Sequence, residues 1–186
     1  IVRPLPARWA QTSADELRLR LGLRRPVAIV TSPANMIPET HGWLRPVITL
    51  PPEARSWSID RLAFVLAHEL IHVRRHDWIT GVFAEIVAAM YWFNPFVWKA
   101  LLLLRQEREL ACDDEVLFAG IGEETTYATH LIEIAASLGC KASAGSVAMA
   151  HVSNLETRVR SIVAPDTKRG GLTMKGKIMT AFVAAA

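Results

Sequence analysis

The sequence predicts an α+β fold, mostly helical, with a small β-sheet beside one central helix. Three observations predict it. Two short β-branched runs, at residues 27–31 and 47–50, are bounded by turn signals. From residue 59 onward, apolar residues recur mainly at helical spacing. The 186 residues are enough to bury a core, and no internal repeat divides them.

The elements follow in order. Residues 8–21 read as a helix that ends at Gly22. Val27-Ala28-Ile29-Val30-Thr31 reads as a strand, the Gly42 region as a turn, and Val47-Ile48-Thr49-Leu50 as a second strand closed by Pro51-Pro52. Helices are expected over 59–76, 79–93, 96–119 and 124–138. Ser58 can cap the first of these, and Asp60 adds negative charge to its first turn. Leu62, Leu66, Leu70 and Val73 give it a core-facing stripe, while Arg61, Val65, His68 and His72 fall on another face. No Pro or Gly interrupts residues 59–80. Residues 139–150 are rich in Gly, Ala and Ser and read as a mobile loop. Ser153-Asn154-Leu155-Glu156 reads as a capping box opening a last amphipathic helix with Leu155, Val159 and Ile162.

The array His68-Glu69-Leu70-Ile71-His72 lies inside the helix expected over 59–76. Imidazoles at this spacing project from one face and can grip one zinc ion. Glu69 is one residue on and points away from that shared direction, yet it can reach a water beside the metal and take its proton. The chemistry indicated is metal-assisted hydrolysis of a peptide bond. A catalytic zinc needs about three protein ligands and one open position. Arg105-Gln106-Glu107-Arg108-Glu109-Leu110-Ala111-Cys112-Asp113-Asp114 supplies the candidates. Glu109 and Asp113 share a helical face, so Glu109 can bind the metal while Asp113 accepts the ring N–H of a ligating histidine. Glu107 points to nearly the opposite side and is the weaker candidate. Asp114 and Glu115 read as surface charges. His76 continues the histidine spacing, but two helical turns separate it from His68, about 12 Å, too far for one tetrahedral ion. It reads as a partly exposed group, or as one that supports a ligand from behind. Tyr127, His130 and His151 are candidates for substrate binding or oxyanion stabilisation, with His41 and Arg108 as looser ones.

Taken together, the His-Glu-x-x-His helix and the downstream Glu-x-x-x-Asp resemble the gluzincin class of zinc peptidases. More narrowly, the chain resembles the membrane-embedded peptidases of beta-lactam sensor-transducers, the antirepressor family of penicillinase and methicillin-resistance regulation. Arg75 and Asp77 follow the first motif as in that family's extended signature. Asn94-Pro95 with Val97-Trp98, and then Arg108-Glu109-Leu110-Ala111-Cys112-Asp113-Asp114, match further signatures. Gly42, Leu44-Arg45-Pro46 and Ile48-Thr49-Leu50-Pro51 resemble the strand pair before the active helix. The likeness covers roughly residues 25–163. It implies a mostly helical zincin-like metallopeptidase domain over 1–163, with Zn2+ held by His68, His72 and Glu109. Glu69 would be the general base and Asp113 a supporting carboxylate. An edge strand near His41–Leu44 or 47–50 would take the substrate in extended form. No Ser-x-x-Lys nucleophile of a penicillin-binding domain is expected in this piece.

Net charge is +3 and the isoelectric point about 9.1. Arg18, Arg20, Arg24 and Arg25 suit anionic lipid or an acidic partner, but the aromatic interleaving of a single-strand binder is missing. Direct nucleic-acid binding is not expected. Cys112 and Cys140 have no metal-ligand spacing and fit reduced thiols in a cytoplasmic domain, Cys112 as a small packing residue. The chain begins without Met and reads as a piece of a longer protein. Residues 164–186 read as a basic linker, with Lys168, Arg169, Lys175 and Lys177, and the start of a truncated transmembrane segment. Its flanking charge favours the cytoplasmic side of a bacterial inner membrane for this domain. Residues 78–104 are apolar enough to suggest a span. However, Glu85, Asn94-Pro95 and Lys99 favour two packed helices whose apolar outer face lies on a membrane or docks to other spans. A buried core hairpin is the alternative.

The expected function is a zinc-dependent endopeptidase domain of a membrane-anchored signalling protein. Its substrate would be a transcriptional repressor, an anti-sigma-like regulator or the chain itself, and a second copy is a further partner as a homodimer. The rival readings are a zinc-stabilised signalling module that cuts nothing and a metal-free structural anchor domain.

Overall fold

The computed structural model describes residues 5–33, 37–139 and 146–163, by backbone alone at 135, 137–139 and 146–154. Among them the architecture is α+β and mostly helical. Strand β1 (Leu5–Pro6) leads into helix α1 (Arg8–Arg20). Strands β2 (Ala28–Thr31), β3 (Glu39–His41) and β4 (Val47–Leu50) complete a sheet of order β1-β2-β4-β3. β2 and β4 pair in parallel, with Ile29 opposite Ile48, while β1 and β3 join antiparallel at the two edges. Five helices follow: α2 (Ile59–Arg75), α3 (Asp77–Met90), α4 (Pro95–Phe118), α5 (Glu124–Gly139) and α6 (Ser146–Val163).

Helix α2 is the centre of the molecule. Ser58 caps it by accepting from Arg61 N at 3.2 Å. Leu66, Ala67, Leu70 and Ile71 are fully buried, and Ile48 and Leu50 of β4 share their core. Helix α1 packs on α2 and is tied to the sheet by Gln11, whose amide donates to Val27 O at 2.9 Å and accepts from Ile29 N at 3.1 Å. The β3–β4 turn needs Gly42. Its φ is +85°, and a Cβ there would lie 2.8 Å from Arg45 O.

The helix expected over 59–76 ends within a residue of that bound, at Arg75, because His76 adopts a left-handed conformation, φ 61°. His can enter this region more readily than most residues, and the chain turns sharply into α3. β4 is an interior strand, so Val47–Leu50 cannot be the docking edge; the edge next to α2 is Glu39–His41, and 42–44 belong to the turn. Pro6 hid β1, since Pro is tolerated only where a strand has a free edge. The last helix opens at Ser146, which puts Ser153 inside it rather than at its cap. Residues 140–145 of the expected loop, including Cys140, and residues 164–186 lie outside the described residues.

Pro95 opens α4, with Asn94 accepting from Phe96 N at 2.9 Å. α3 and α4 form the expected packed pair. Their outer face is open, with Trp92, Phe93 and Phe96 at 69, 68 and 78 % exposure, so the buried-hairpin alternative does not hold. Among the described residues no helix is long and apolar enough to cross a membrane.

Candidate metal centre

The helical spacing of His68 and His72 brings their Nε2 atoms to 3.1 Å from each other on the buried face of α2. α4 packs across this face and adds Glu109. Its Oε2 lies 3.4 Å from His68 Nε2, and its Oε1 3.6 Å from His72 Nε2. Three ligand atoms on two helices therefore converge on one point. A tetrahedral ion with bonds near 2.0–2.1 Å separates its ligands by about 3.3 Å. Two neutral imidazoles and one carboxylate are also a donor set of catalytic zinc sites. The residues fit a zinc ion.

Each imidazole is held from behind by a carboxylate. His72 Nδ1 lies 2.8 Å from Asp77 Oδ2, which the left-handed turn at His76 brings back toward α2. His68 Nδ1 lies 3.1 Å from Asp113 Oδ1, one turn along α4 from Glu109. With Nδ1–H committed to a carboxylate, Nε2 keeps its lone pair for a metal. Tyr127 OH donates to Asp113 Oδ1 at 2.6 Å and sits 3.1 Å from His68 Nδ1. Arg158 of α6 adds two N–H bonds to Asp113, of 2.6 and 2.7 Å.

The electrostatics call for positive charge at the centre. Burial opposes charging of His68, but hydrogen bonds to Asp113 and Glu109 outweigh it and raise the imidazole to about 9. Burial also opposes ionisation of Glu109, yet His68, His72 and Arg158 hold its carboxyl far below the usual range. Asp113 is lowered to about 2 against the same burial, by Arg158 and His68. Burial opposes ionisation of Asp77 too, but His72 and then Arg75 outweigh it and lower its carboxyl. These anionic groups can compensate either a protonated imidazole or a bound dication.

Glu69 is buried beside the histidines, and Thr40 Oγ1 of β3 donates to its Oε2 at 2.6 Å. The edge strand thus touches the carboxylate expected to move the proton. A shallow recess opens next to it, lined by Thr40, Gly42, Trp43, His72, His76 and Trp78.

Other candidates fall elsewhere. The hydroxyl of Tyr127, read as an oxyanion donor, is committed behind His68, and burial followed by the Asp113 charge raises it well above the normal phenol range. It supports the imidazole instead. His130 packs against Phe64 and lies 3.4 Å from Glu133 Oε2, and among the described residues no contact ties it to the two histidines of α2. The side chain of His151 is outside the described residues. His41 is exposed on β3, and His76 is exposed at the α2–α3 corner. Arg108 borders the site, with Nε 3.8 Å from Glu109 Oε1. Glu115 is not a bare surface charge: it pairs with Arg75 Nη1 at 3.2 Å and with Arg74, tying α4 to the end of α2. Cys112 is fully buried, with Sγ 3.2 Å from His72 Nδ1 and 3.5 Å from Asp77 Oδ2. His72, Asp77 and Cys112 form a second group of metal-ligand type. Burial, then the charge of Asp77, pushes the Cys112 thiol far up, so it stays a packed S–H donor beside an Nδ1 already served by Asp77. Arg158 and Thr40 had no sequence signal, and Asp77 had one only through the resemblance.

Residues 10–162 match the family described as BlaR1 peptidase M56. The chain belongs to that family. This is the sensor-transducer peptidase family that the two motifs resemble, and it is a metallopeptidase family. Regulatory protein BlaR1 of Bacillus licheniformis is 36% identical over 106 residues, 57% of this chain and 17% of the relative. Methicillin resistance mecR1 protein of Staphylococcus aureus is 25% identical over 134 residues, 70% of this chain and 23% of the relative. The chain therefore spans less than a quarter of either BlaR1 or mecR1 relative.

Proposed function

We propose that this M56 domain is a zinc endopeptidase that cleaves a regulatory protein of repressor type, or its own parent chain, within a membrane-anchored signalling protein. The observation that carries the reading is the meeting of His68 Nε2, His72 Nε2 and the Glu109 carboxylate, with Glu69 one residue along the same helix. His68, His72 and Glu109 would hold the zinc, which when bound polarises a water and a scissile carbonyl. Asp77 and Asp113 keep the two imidazoles in the ligating tautomer. Glu69 accepts the proton of the attacking water as the C–O bond forms, and returns it to the leaving amine as the peptide C–N bond breaks. Strand β3 is the edge on which an extended substrate segment would lie, since among the described residues it ends the sheet order and Thr40 touches Glu69.

The test is Glu69→Gln in zinc-loaded protein, incubated with a co-encoded repressor and followed by mass spectrometry of the fragments. The variant should keep its zinc and lose cleavage by at least about a hundredfold. Full cleavage by a pure sample of it would remove Glu69 from the mechanism. Intact signalling by the variant in cells would instead favour a zinc-stabilised module that cuts nothing.

Membrane attachment is supported by the exposed face of α3 and α4, and the cytoplasmic side only by the basic residues Lys168, Arg169, Lys175 and Lys177 of the sequence. Phe83, Ile86, Met90, Trp92, Phe93 and Phe96 stand open on it, and Trp residues suit the bilayer interface. Purified protein should float with anionic phospholipid vesicles, and Trp92→Ser, Phe93→Ser, Phe96→Ser together should abolish flotation. Equal flotation of both proteins would exclude this face.

A further inference from the structure

Arg158 lies far from both motifs in sequence, yet its guanidinium reaches the centre. Helix α6 packs on α4 and α5 and carries Arg158 inward. Nε donates to Asp113 Oδ2 at 2.6 Å and Nη2 to Oδ1 at 2.7 Å, while Nη1 stands 3.4 Å from Glu109 Oε2. One planar group therefore spans the expected metal ligand on α4 and the carboxylate that orients His68. Its neighbour Arg160 faces the other way, exposed and paired with Glu156 at 2.8 Å.

We propose that Arg158 is a positioning residue of the metal centre, so that α6 is part of the site rather than a cover over it. The proposal rests on the reading that His68, His72 and Glu109 hold a zinc ion. A two-point guanidinium–carboxylate contact fixes the plane of the carboxylate as well as its place. Asp113 Oδ1 must face His68 Nδ1 for the imidazole to keep its lone pair on Nε2. Tyr127 alone gives Asp113 one contact, about which the carboxylate can still turn. The fork from Arg158 removes that freedom, and its third arm limits the rotation of Glu109. A lysine keeps the charge but presents a point donor in place of the fork.

Two effects oppose each other at this residue. A cation beside Glu109 repels a metal dication, whereas the fork holds two carboxylates in ligating geometry. If geometry dominates, losing the fork weakens metal binding whether or not the charge remains. The experiment titrates zinc into metal-free protein against a chromophoric chelator and records the visible spectrum of the cobalt-loaded protein, for wild type, Arg158→Met, Arg158→Lys and the control Arg160→Met. Arg158→Met and Arg158→Lys should both bind zinc about 10- to 100-fold more weakly, the range found when partners of metal ligands are removed. Both should shift the cobalt bands, and Arg160→Met should match wild type. A merely structural role would lower the thermal midpoint of metal-free and zinc-loaded protein alike and leave affinity and spectrum unchanged, which would overturn the proposal. Tighter zinc binding by Arg158→Met would also overturn it, as would Arg158→Lys behaving as wild type in both readouts. If the Met variant does not fold, the Lys variant decides, because it keeps the buried positive charge. Failure of wild type itself to bind zinc would sink the metal reading and this proposal together, an outcome distinct from all the others.

Discussion

Replacing Asp77 with Asn keeps the side chain's shape at the α2–α3 corner and removes its charge. Asp77 Oδ2 stands 2.8 Å from His72 Nδ1 and 3.3 Å from Arg75 Nε. Its carboxyl is lowered despite burial, so the native group is an anion at neutral pH. A hydrogen bond to a charged partner contributes about 1.5–3 kcal/mol, roughly twice a neutral one. Asn therefore loses about 1–1.5 kcal/mol at His72 if its carbonyl oxygen faces the ring, and more if its NH2 does. With about 1.4 kcal/mol for each factor of ten, zinc affinity should fall by about 5- to 12-fold, and toward 100-fold if the ring reorients. Arg75 keeps Glu115 at 3.2 Å, so the substitution does not strand a buried cation. The assay is chelator competition at neutral pH on samples with matching far-ultraviolet circular dichroism. A folded Asp77→Asn protein whose zinc affinity stays within about threefold of wild type would refute the claim that this carboxylate orients His72.

Two further expectations concern stability. The folded Asp113 carboxyl sits at about 2 against an ordinary 3.8, a depressed acid. Its contribution, about 2 kcal/mol, is complete above the ordinary value and lost as pH falls through about 2. Denaturant midpoints of metal-free protein should fall over that acid window, and Asp113→Asn should flatten the dependence there; an unchanged slope would count against the ion pair. Gly122→Ala would place a Cβ 2.3 Å from Phe64 Cζ, and Phe64 stacks on Tyr127 at 5.0 Å between ring centres. The overpacking should cost about 1–3 kcal/mol in thermal unfolding, and an unchanged midpoint would mean the ring moves aside freely.

The sequence was legible where local spacing and chemistry coincide. The helix from Ile59 carries its cap, its core stripe and both histidines within one stretch. Glu109 and Asp113 were readable because a four-residue spacing puts them on one face of α4. What stayed hidden depends on tertiary contact. Arg158 looks like any arginine of an amphipathic helix, and its meaning comes from Asp113 on another element. Glu115 reads as solvated beside Asp114 until α2 places Arg74 and Arg75 against it. β3 is three residues long with no apolar side chain, so no alternation betrays it. Thr40 was lost with it. The end of α2 was placed to within a residue, but its breaker, His76 in a left-handed turn, is neither Pro nor Gly and carried no sequence signal.

That turn shows why the fold and the centre are hard to separate. A helix continued past Arg75 would carry Asp77 onward along its own axis, where a residue five positions beyond His72 points away from it. The break at His76 sends the chain back, and Asp77 arrives at His72 Nδ1 as the first residue of α3. α4 meanwhile supplies Glu109 to the ligating side of the two rings and Asp113 to the rear of His68. Among the described residues α5 and α6 reach the centre through Tyr127, which touches both Asp113 and His68, and through Arg158, which touches Asp113 and Glu109. Strain on α5 or α6 therefore has a short physical route to the orientation of one imidazole, while strain at the α2–α3 corner acts on the other. The two imidazoles are thereby exposed to different parts of the molecule, although they face one ion.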